Sequence, residues 1–295
     1  MTPLAFNSGK VSGSAEFPGT GEFTYTQADF ETIASLIYAH AGIVMTREKA
    51  MLIFSRFTKL LRAKDMRVFA NYVELIRTDS TERRIAIEAL TTNHTRFFRE
   101  DHHFTHFERQ VRPHLIEKLQ AKQRVRMWSA GSSSGEEVYS LMMTMLGCDK
   151  QFLRQIASGD MATLATDLAQ HVLDAAIRGE YPANAADDIP SALSELWTRI
   201  EGSKLVIAPQ VRELVRFRRL NLLDAWPIRN RFDVIFCRNV MIYFDEPTKE
   251  TLIGRFADHL HDGGYLYIGH SERVPPSLNG RLISAGQTIF RKVGQ

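Results

Sequence analysis

Residues 125–140 read Val-Arg-Met-Trp-Ser-Ala-Gly-Ser-Ser-Ser-Gly-Glu-Glu-Val-Tyr-Ser, and three signals succeed one another within them. Residues 125–130 have strand character, a turn of small residues runs between Gly131 and Gly135, and a helix opens at Glu136 and Glu137. A strand entering a helix through a glycine turn is a ligand loop. Glycine lets the backbone come close to a bound molecule, and the free N–H groups at the helix start face it. Neither GxGxxG nor GxxxxGK[ST] is present, and acids stand where a pyrophosphate site wants a lysine. Two carboxylates there suit a cationic or amino-bearing ligand. They equally suit the positive end of the helix dipole, so the loop alone leaves both readings open.

Beyond this stretch, strand signals at 162–166, 215–220, 232–237, 265–269 and 288–292 alternate with helical stretches at 137–146, 168–177 and 248–261. The alternation predicts an α/β domain over 125–295: a mainly parallel, Rossmann-like sheet covered by helices, with a ligand crevice at the carboxyl ends of the strands. Those ends carry the glycine loop, Asp167, Asn221 and Arg238-Asn239. An acid ending the second strand of such a sheet accepts hydrogen bonds from a ribose diol. Asp167 lies 36 positions after Gly131, farther than the ~20 of a dinucleotide fingerprint, which disfavours NAD and leaves another nucleoside open. Residues 179–216 break the alternation. There 197–200 and 204–207 are expected to pair through Glu201-Gly202-Ser203, with 213–217 adding extended chain, as an inserted β subdomain at about 195–218.

Upstream, residues 27–92 show apolar positions at spacings of three and four, and Gly42 is a stop signal; they predict a small all-helical domain over 23–92. Residues 1–22, rich in Gly, Ser, Thr and Pro, read as a disordered lead-in. In the second helix, expected over 46–64, Ala50, Ile53, Phe54, Phe57, Leu60 and Leu61 fall on one arc at ~100° per residue, and Lys49, Arg56, Lys59 and Arg62 on the other. Between Thr46 and Arg67 seven basic residues face two acidic ones. The cationic face is either simply solvated or a docking surface for an acidic partner. Nucleic acid is disfavoured, because no aromatic residues alternate with those charges for base stacking.

Residues 93–124 form a linker and helix. Within Leu-Thr-Thr-Asn-His-Thr-Arg-Phe-Phe-Arg-Glu (90–100), the Phe97-Phe98 pair pins a segment that presents Asn93, Thr95 and Arg99 outward. His102 and His106 have helical ligand spacing, but the HExxH glutamate and a third ligand are missing, so no metal is expected. A net charge of +3 is too small to imply nucleic acid by itself, and Cys148 and Cys237 make neither a disulfide framework nor a zinc site. No apolar run reaches the ~20 residues of a membrane span. A cytoplasmic monomer, not inserted in a membrane, is expected.

Thr-Thr-Asn-His-Thr-Arg-Phe-Phe-Arg-Glu (91–100), the stretch 128–140, Ala-Thr-Asp (165–167), Phe-Asp-Val-Ile-Phe-Cys-Arg-Asn-Val-Met-Ile-Tyr-Phe (232–244) and Gly-His-Ser-Glu (269–272) together resemble the chemotaxis receptor glutamate O-methyltransferases of the CheR family. The resemblance runs in order from about residue 25 to the end. It implies a Rossmann-like S-adenosylmethionine-dependent methyltransferase sheet with a small inserted β subdomain, preceded by a small all-α domain. The implied reaction transfers a methyl group from S-adenosylmethionine, releasing S-adenosylhomocysteine, to glutamate carboxylates of methyl-accepting chemotaxis receptors. By that resemblance Glu136 or Glu137, with the first preferred, meets the amino acid end of the cofactor; Asp167 holds the ribose; Asn221 and Leu222 border the adenine. Asn93, Thr95, Arg99, Gly131, Asn239, Val240 and Tyr243 line the remainder, with Arg99 and Tyr243 as the catalytic candidates. The His102-His103 pair carries no metal role in relatives. The basic face of Lys49, Arg56, Lys59 and Arg62 becomes a receptor-docking surface.

The chemistry is consistent with that assignment. A glutamate acceptor has a reference pKa of about 4.3, is already ionised at neutral pH and needs no general base. In-line alignment and exclusion of water are what remain to be supplied. Val138, Ala169 and Arg96 depart from the family pattern without removing a catalytic position. The short Glu201-Gly202-Ser203 turn resembles relatives that work without a C-terminal pentapeptide tether. A methyltransferase for another acceptor, or a cofactor-sensing module without turnover, are the alternative readings.

Overall fold

The computed structural model describes residues 21–91, 94–148 and 159–294, which fall into two compact units, 1–40 with 45–90 and 41–44 with 91–295. In the first unit, helices α1 (Gln27–Ala41), α2 (Ala50–Arg62), α3 (Phe69–Thr78) and α4 (Ser80–Leu90) follow in order. Gly42, with φ +65°, follows the end of α1, as the sequence leads one to expect. The apolar arc of α2 is what buries: Ile53, Phe57 and Leu61 are inaccessible, and Phe57 and Phe69 stack at 6.5 Å. Residues 47–49 form a 3₁₀ turn ahead of α2, not its first helical turn.

In the second unit the first helices are α5 (His102–His106), a single π turn (Phe107–Val111) and α6 (Arg112–Gln120). Its seven-stranded sheet contains β1 (Val125–Ala130), β2 (Met161–Asp167), β6 (Val215–Arg219), β7 (Phe232–Cys237), β8 (Leu260–Ile268), β9 (Leu282–Gly286) and β10 (Ile289–Lys292), in the order β6-β2-β1-β7-β8-β10-β9. The first five are parallel, and β10 and β9 close the sheet antiparallel. β7 is buried at every position, as a strand covered on both faces must be. One face carries α7 (Glu136–Leu146), from which Leu141, Met142 and Met145 reach a core shared with Met127, Val234 and Phe236. The opposite face carries α11 (Glu246–His259), whose Leu252, Ile253 and Phe256 pack with Trp128, Ile235 and Leu266. Between them in sequence run α8 (Gln170–Arg178), α9 (Ser191–Trp197) and α10 (Pro209–Arg212).

The inserted sheet is three-stranded, β3-β5-β4, built from β3 (Glu180–Pro182), β4 (Thr198–Glu201) and β5 (Lys204–Ile207). Glu201 pairs with Lys204, so the hairpin turns on Gly202 and Ser203 alone, with Gly202 at φ +59°. Its extent differs from the expected 195–218 at both ends. Val215–Arg219 pairs in parallel with β2 and so belongs to the large sheet, while Tyr181, opposite Leu205, brings in a strand from residue 180.

The histidines of α5 serve packing. His102 Nε2 meets Gln287 O at 3.2 Å, His103 Nε2 meets Thr288 Oγ1 at 2.8 Å, and His106 Nδ1 meets the Tyr267 hydroxyl at 2.8 Å, fixing α5 to β8 and the turn before β10. Burial, with Arg238 nearby, pushes His103 down to about 2, so its imidazole stays neutral.

Candidate functional site

The sheet order reverses at β1 and β7, which lie side by side, and at such a switch point both carboxyl ends open to one crevice. A cavity of about 320 Å³ occupies it. The loop after β1 contributes Gly131, Ser132 and Ser133, with Glu137 from the first turn of α7; the end of β2 contributes Asp167, followed by Leu168; the chain leaving β6 contributes Leu220, Asn221 and Leu222. Arg238, Asn239, Val240 and Tyr243 follow β7, while Thr95, Arg96 and Arg99 come from the segment before α5 and Ala41 and Ile43 from the 41–44 strap.

Of the residues expected from sequence, Thr95, Arg99, Gly131, Asp167, Asn221, Leu222, Asn239, Val240 and Tyr243 therefore share one wall. Asn93 lies outside the described residues. Glu136 is not on the wall; its Oε2 accepts from Ser134 Oγ at 2.7 Å, and the acid that faces the cavity is Glu137. Past Gly135, at φ +98°, adjacent residues of α7 project about 100° apart, so the two acids cannot both face the crevice, and it is the second that does. Lys49, Arg56, Lys59 and Arg62 belong to the first unit. There Lys59 and Arg62 are exposed and Arg56 half-buried, with Arg56 Nη1 donating to Ala89 O at 3.4 Å and Arg62 paired to Glu22 at 2.7 Å.

Local constraints hold the wall. Gly131 has φ +81°, and a Cβ there would stand 2.3 Å from Val240 Cγ2, so the loops after β1 and β7 interlock only with glycine. Asp167 accepts from the Ser133 amide at 2.8 Å and the Ala169 amide at 3.0 Å, and burial pushes its carboxyl up against those bonds. Asn221 Oδ1 accepts from the Leu223 amide at 3.1 Å, an Asx turn that fixes the chain leaving β6. Ser132 Oγ is buried with no partner among the described residues, a hydroxyl available to a ligand.

A buried charge network, not foreseen from sequence, lies behind the wall. Arg238, 6% exposed, reaches Glu137 Oε2 at 3.2 Å and Glu100 Oε2 at 3.5 Å, and donates to the Arg99 carbonyl. Ser129 Oγ holds the other oxygen of Glu137 at 2.7 Å. Burial raises Glu137 above the ordinary glutamate range, with Arg238 and Ser129 opposing. Burial also acts to raise Glu100, but Arg238 and hydrogen bonds from His270 and Asn239 outweigh it and leave the group lowered. Glu272 accepts the amides of Met241 (2.8 Å), Gly269 (2.6 Å) and Asn239 (3.4 Å), tying the loop after β8 to that after β7. The sequence trace of this network was slight: a charge directly after a strand apolar but for Asp233, at Arg238, and an acid just beyond the next strand, at Glu272.

Arginines on the wall refine the argument from acids. Arg238 is committed to Glu137 and Arg96 to Asp188 at 3.0 Å, so of the wall arginines only Arg99, bonded to the His94 carbonyl at 3.1 Å, is without a carboxylate partner among the described residues. The wall thus combines anionic and dipolar groups with an apolar margin of Leu168, Leu222, Val240 and Phe244. That donor set fits an amino acid nucleoside bearing a positive sulfur better than a pyrophosphate.

Comparison with known proteins gives the same description. Residues 93–290 match the family model described as CheR methyltransferase, SAM binding domain, and residues 28–91 that described as CheR methyltransferase, all-alpha domain. A probable chemotaxis protein methyltransferase of Rhizobium etli is 40% identical over 262 residues, covering 87% of this chain and 96% of the relative. Chemotaxis protein methyltransferase 2 of Pseudomonas aeruginosa is 36% identical over 277 residues (92% and 95%), and the chemotaxis protein methyltransferase of Escherichia coli 34% over 282 residues (92% and 93%). Apart from Ala41, Ile43 and Thr91, the cavity's residues lie within the S-adenosylmethionine-binding match, and their chemistry suits that cofactor. With both family domains matched in order over nearly its whole described length, the chain belongs to the CheR methyltransferase family.

Proposed function

We propose that this protein transfers a methyl group from S-adenosylmethionine to glutamate side chains on the cytoplasmic helices of chemotaxis receptors, forming glutamate methyl esters. The observation that carries the reading is the state of the acids on the wall. Glu137 is held by Ser129 and Arg238, and Asp167 by two backbone amides. Neither is placed to deprotonate an alcohol or amine, which favours an acceptor that is already an anion. S-adenosylmethionine supplies an electrophilic methyl group on a sulfonium sulfur.

This chain's own residues divide the remaining work. Asp167 accepts the ribose hydroxyls, Asn221 and Leu222 border the adenine, and Glu137 takes the ammonium group. Thr95, Asn239 and Val240 line the methionine side, and Gly131 keeps the backbone close. Arg99 and Tyr243 orient the acceptor carboxylate. Arg99 positions it without a tight ion pair, because strong pairing would blunt the oxygen as nucleophile. The basic side of α2, above all Lys59, meets the glutamate-rich receptor helix. The two-residue hairpin at Gly202-Ser203 leaves little chain to grip a tether, which favours action without a receptor's C-terminal pentapeptide.

The test is incubation with labelled S-adenosylmethionine and receptor-containing membranes, followed by assay of methanol released by alkali. A base-labile label on receptor protein is the expected result. Label that resists alkali, or cofactor binding with no transfer to any membrane fraction, would replace this reading with another acceptor or a non-catalytic sensor.

A further inference from the structure

The crossover from β6 to β7, residues 220–231, contains no helix. Crossovers in parallel sheets normally supply one, and it covers the sheet face it crosses. Here the β2–β6 end of the face opposite α7 is left to a cleft of about 430 Å³. Its floor is Ala162, Leu164 and Thr166 of β2 with Arg216 and Arg218 of β6, and its far wall is Pro227, Ile228, Arg229 and Asn230. That wall is fixed through the preceding chain. Arg255 donates to the carbonyls of Leu222 (2.7 Å) and Asp224 (2.6 Å), lies over the Trp226 ring at 3.9 Å, and the indole donates to Leu222 O at 3.1 Å.

Five arginines line the cleft: Arg126, Arg216, Arg218, Arg219 and Arg229. Arg126 is neutralised by Asp160 at 2.6 Å. The others are not. Arg216, Arg218 and Arg219 donate to the backbone carbonyls of Glu213 (2.6 Å), Phe217 (2.7 Å) and Leu168 (3.1 Å), and among the described residues no carboxylate lies within ion-pair distance of these three or of Arg229. Charges on an edge strand such as β6 discourage strand addition, which would account for Arg216 and Arg218. It does not account for Arg229 on the opposing loop, nor for the concave strip of Ala162, Leu164 and Thr166 between the two sets of charges.

Guanidinium groups that line a cleft of small-molecule size and have no carboxylate partner among the described residues can match phosphate oxygens, and Leu164, Ile228 and Phe232 offer a surface for a flat apolar body. We propose that this cleft binds a small ligand of the nucleotide class, carrying two or more phosphates, at a site separate from the methyl-donor cavity.

The experiment is calorimetric titration of the full chain, saturated with S-adenosylhomocysteine to block the donor cavity, with ATP, GTP and inorganic pyrophosphate as separate probes. Saturable binding is expected, with a nucleoside triphosphate tighter than pyrophosphate and affinity falling as salt is raised. The double variant Arg218→Gln, Arg229→Gln should lose about tenfold in affinity or more. Its unfolding midpoint and S-adenosylhomocysteine affinity should be unchanged, and Arg229→Gln alone, off the sheet, should show part of the loss. The proposal is overturned if none of the three probes binds saturably at millimolar concentration, or if both variants bind as the parent does. It is also overturned if the double variant aggregates while keeping its nucleotide affinity, which would make the arginines edge guards. A glutamate-rich peptide that outcompetes the nucleotides and shows the same variant sensitivity would make the cleft a protein-docking surface instead.

Discussion

Glu137 is under opposed demands. Burial raises its carboxyl above the ordinary value of 4.5, so the folded chain holds a proton where the unfolded chain has released it. Its contribution to folding is therefore fully present below that value and is lost as pH rises through the raised one. Holding an ammonium group requires the opposite, ionised form. The stabilisation of the protein by S-adenosylhomocysteine, read as a shift in unfolding temperature, should shrink on acidification while the pH is still above 4.5. Glu137→Gln should bind the product about tenfold more weakly at neutral pH and lose this part of the pH dependence, retaining only the part due to Asp167, which burial also raises. A variant whose affinity and pH profile match the parent would remove Glu137 from the site. Tyr243 makes a different prediction. Tyr243→Phe removes only a hydroxyl from the wall, and if that hydroxyl orients the acceptor, turnover should fall about ten- to a hundredfold with product affinity nearly unchanged. An unaltered rate would leave Tyr243 as packing.

At the scale of elements, the loops after β1 and β7 act as a pair. Gly131→Ala should cost about 1–2 kcal/mol for the left-handed backbone and roughly 1–3 more for the contact with Val240. Adding Val240→Ala should recover the second part but not the first, measured by denaturant unfolding. A single variant as stable as the parent would show that the loops separate easily. For α2, the charge reversal Arg56→Glu, Lys59→Glu should lower receptor methylation roughly tenfold, with S-adenosylhomocysteine affinity intact. Loss of both would mean misfolding, a real hazard at half-buried Arg56 and a small one at exposed Lys59, so Lys59→Glu alone is the cleaner arm.

These elements also show what a sequence makes legible. The buried strands and α7 stood out because period and composition follow directly from burial on one or both faces. β3 and β9 did not. β3 is three residues containing Pro182, and β9 is largely exposed at the sheet edge, so neither carries a hydrophobic repeat. At the cavity, residues on strand ends were found because topology fixes where strand ends point. The choice between Glu136 and Glu137 depended on how the first turn of α7 is rotated against the crevice, and Glu100, Arg238 and Glu272 act through bonds to distant amides and charges that no local pattern encodes.

For the whole molecule, the division of the chain matters more than its domain order suggests. Ala41–Val44 lies in sequence between helices of the first unit, yet it groups with residues 91–295. Ala41 and Ile43 line the donor cavity, and the Val44 amide donates to the Tyr243 carbonyl at 2.9 Å, holding the residue assigned to the acceptor. A fragment starting at Thr91 would match the cofactor-binding domain almost completely and still lack this strap. It should fold, because the sheet and both of its cores lie beyond residue 96. It should bind S-adenosylhomocysteine about tenfold more weakly than the full chain, since two wall residues are gone and a backbone bond worth about 1 kcal/mol is lost. Calorimetry on both proteins decides the matter: equal affinities would mean that the strap closes the cavity without contributing to binding, and that the first ninety residues serve recognition of the acceptor alone.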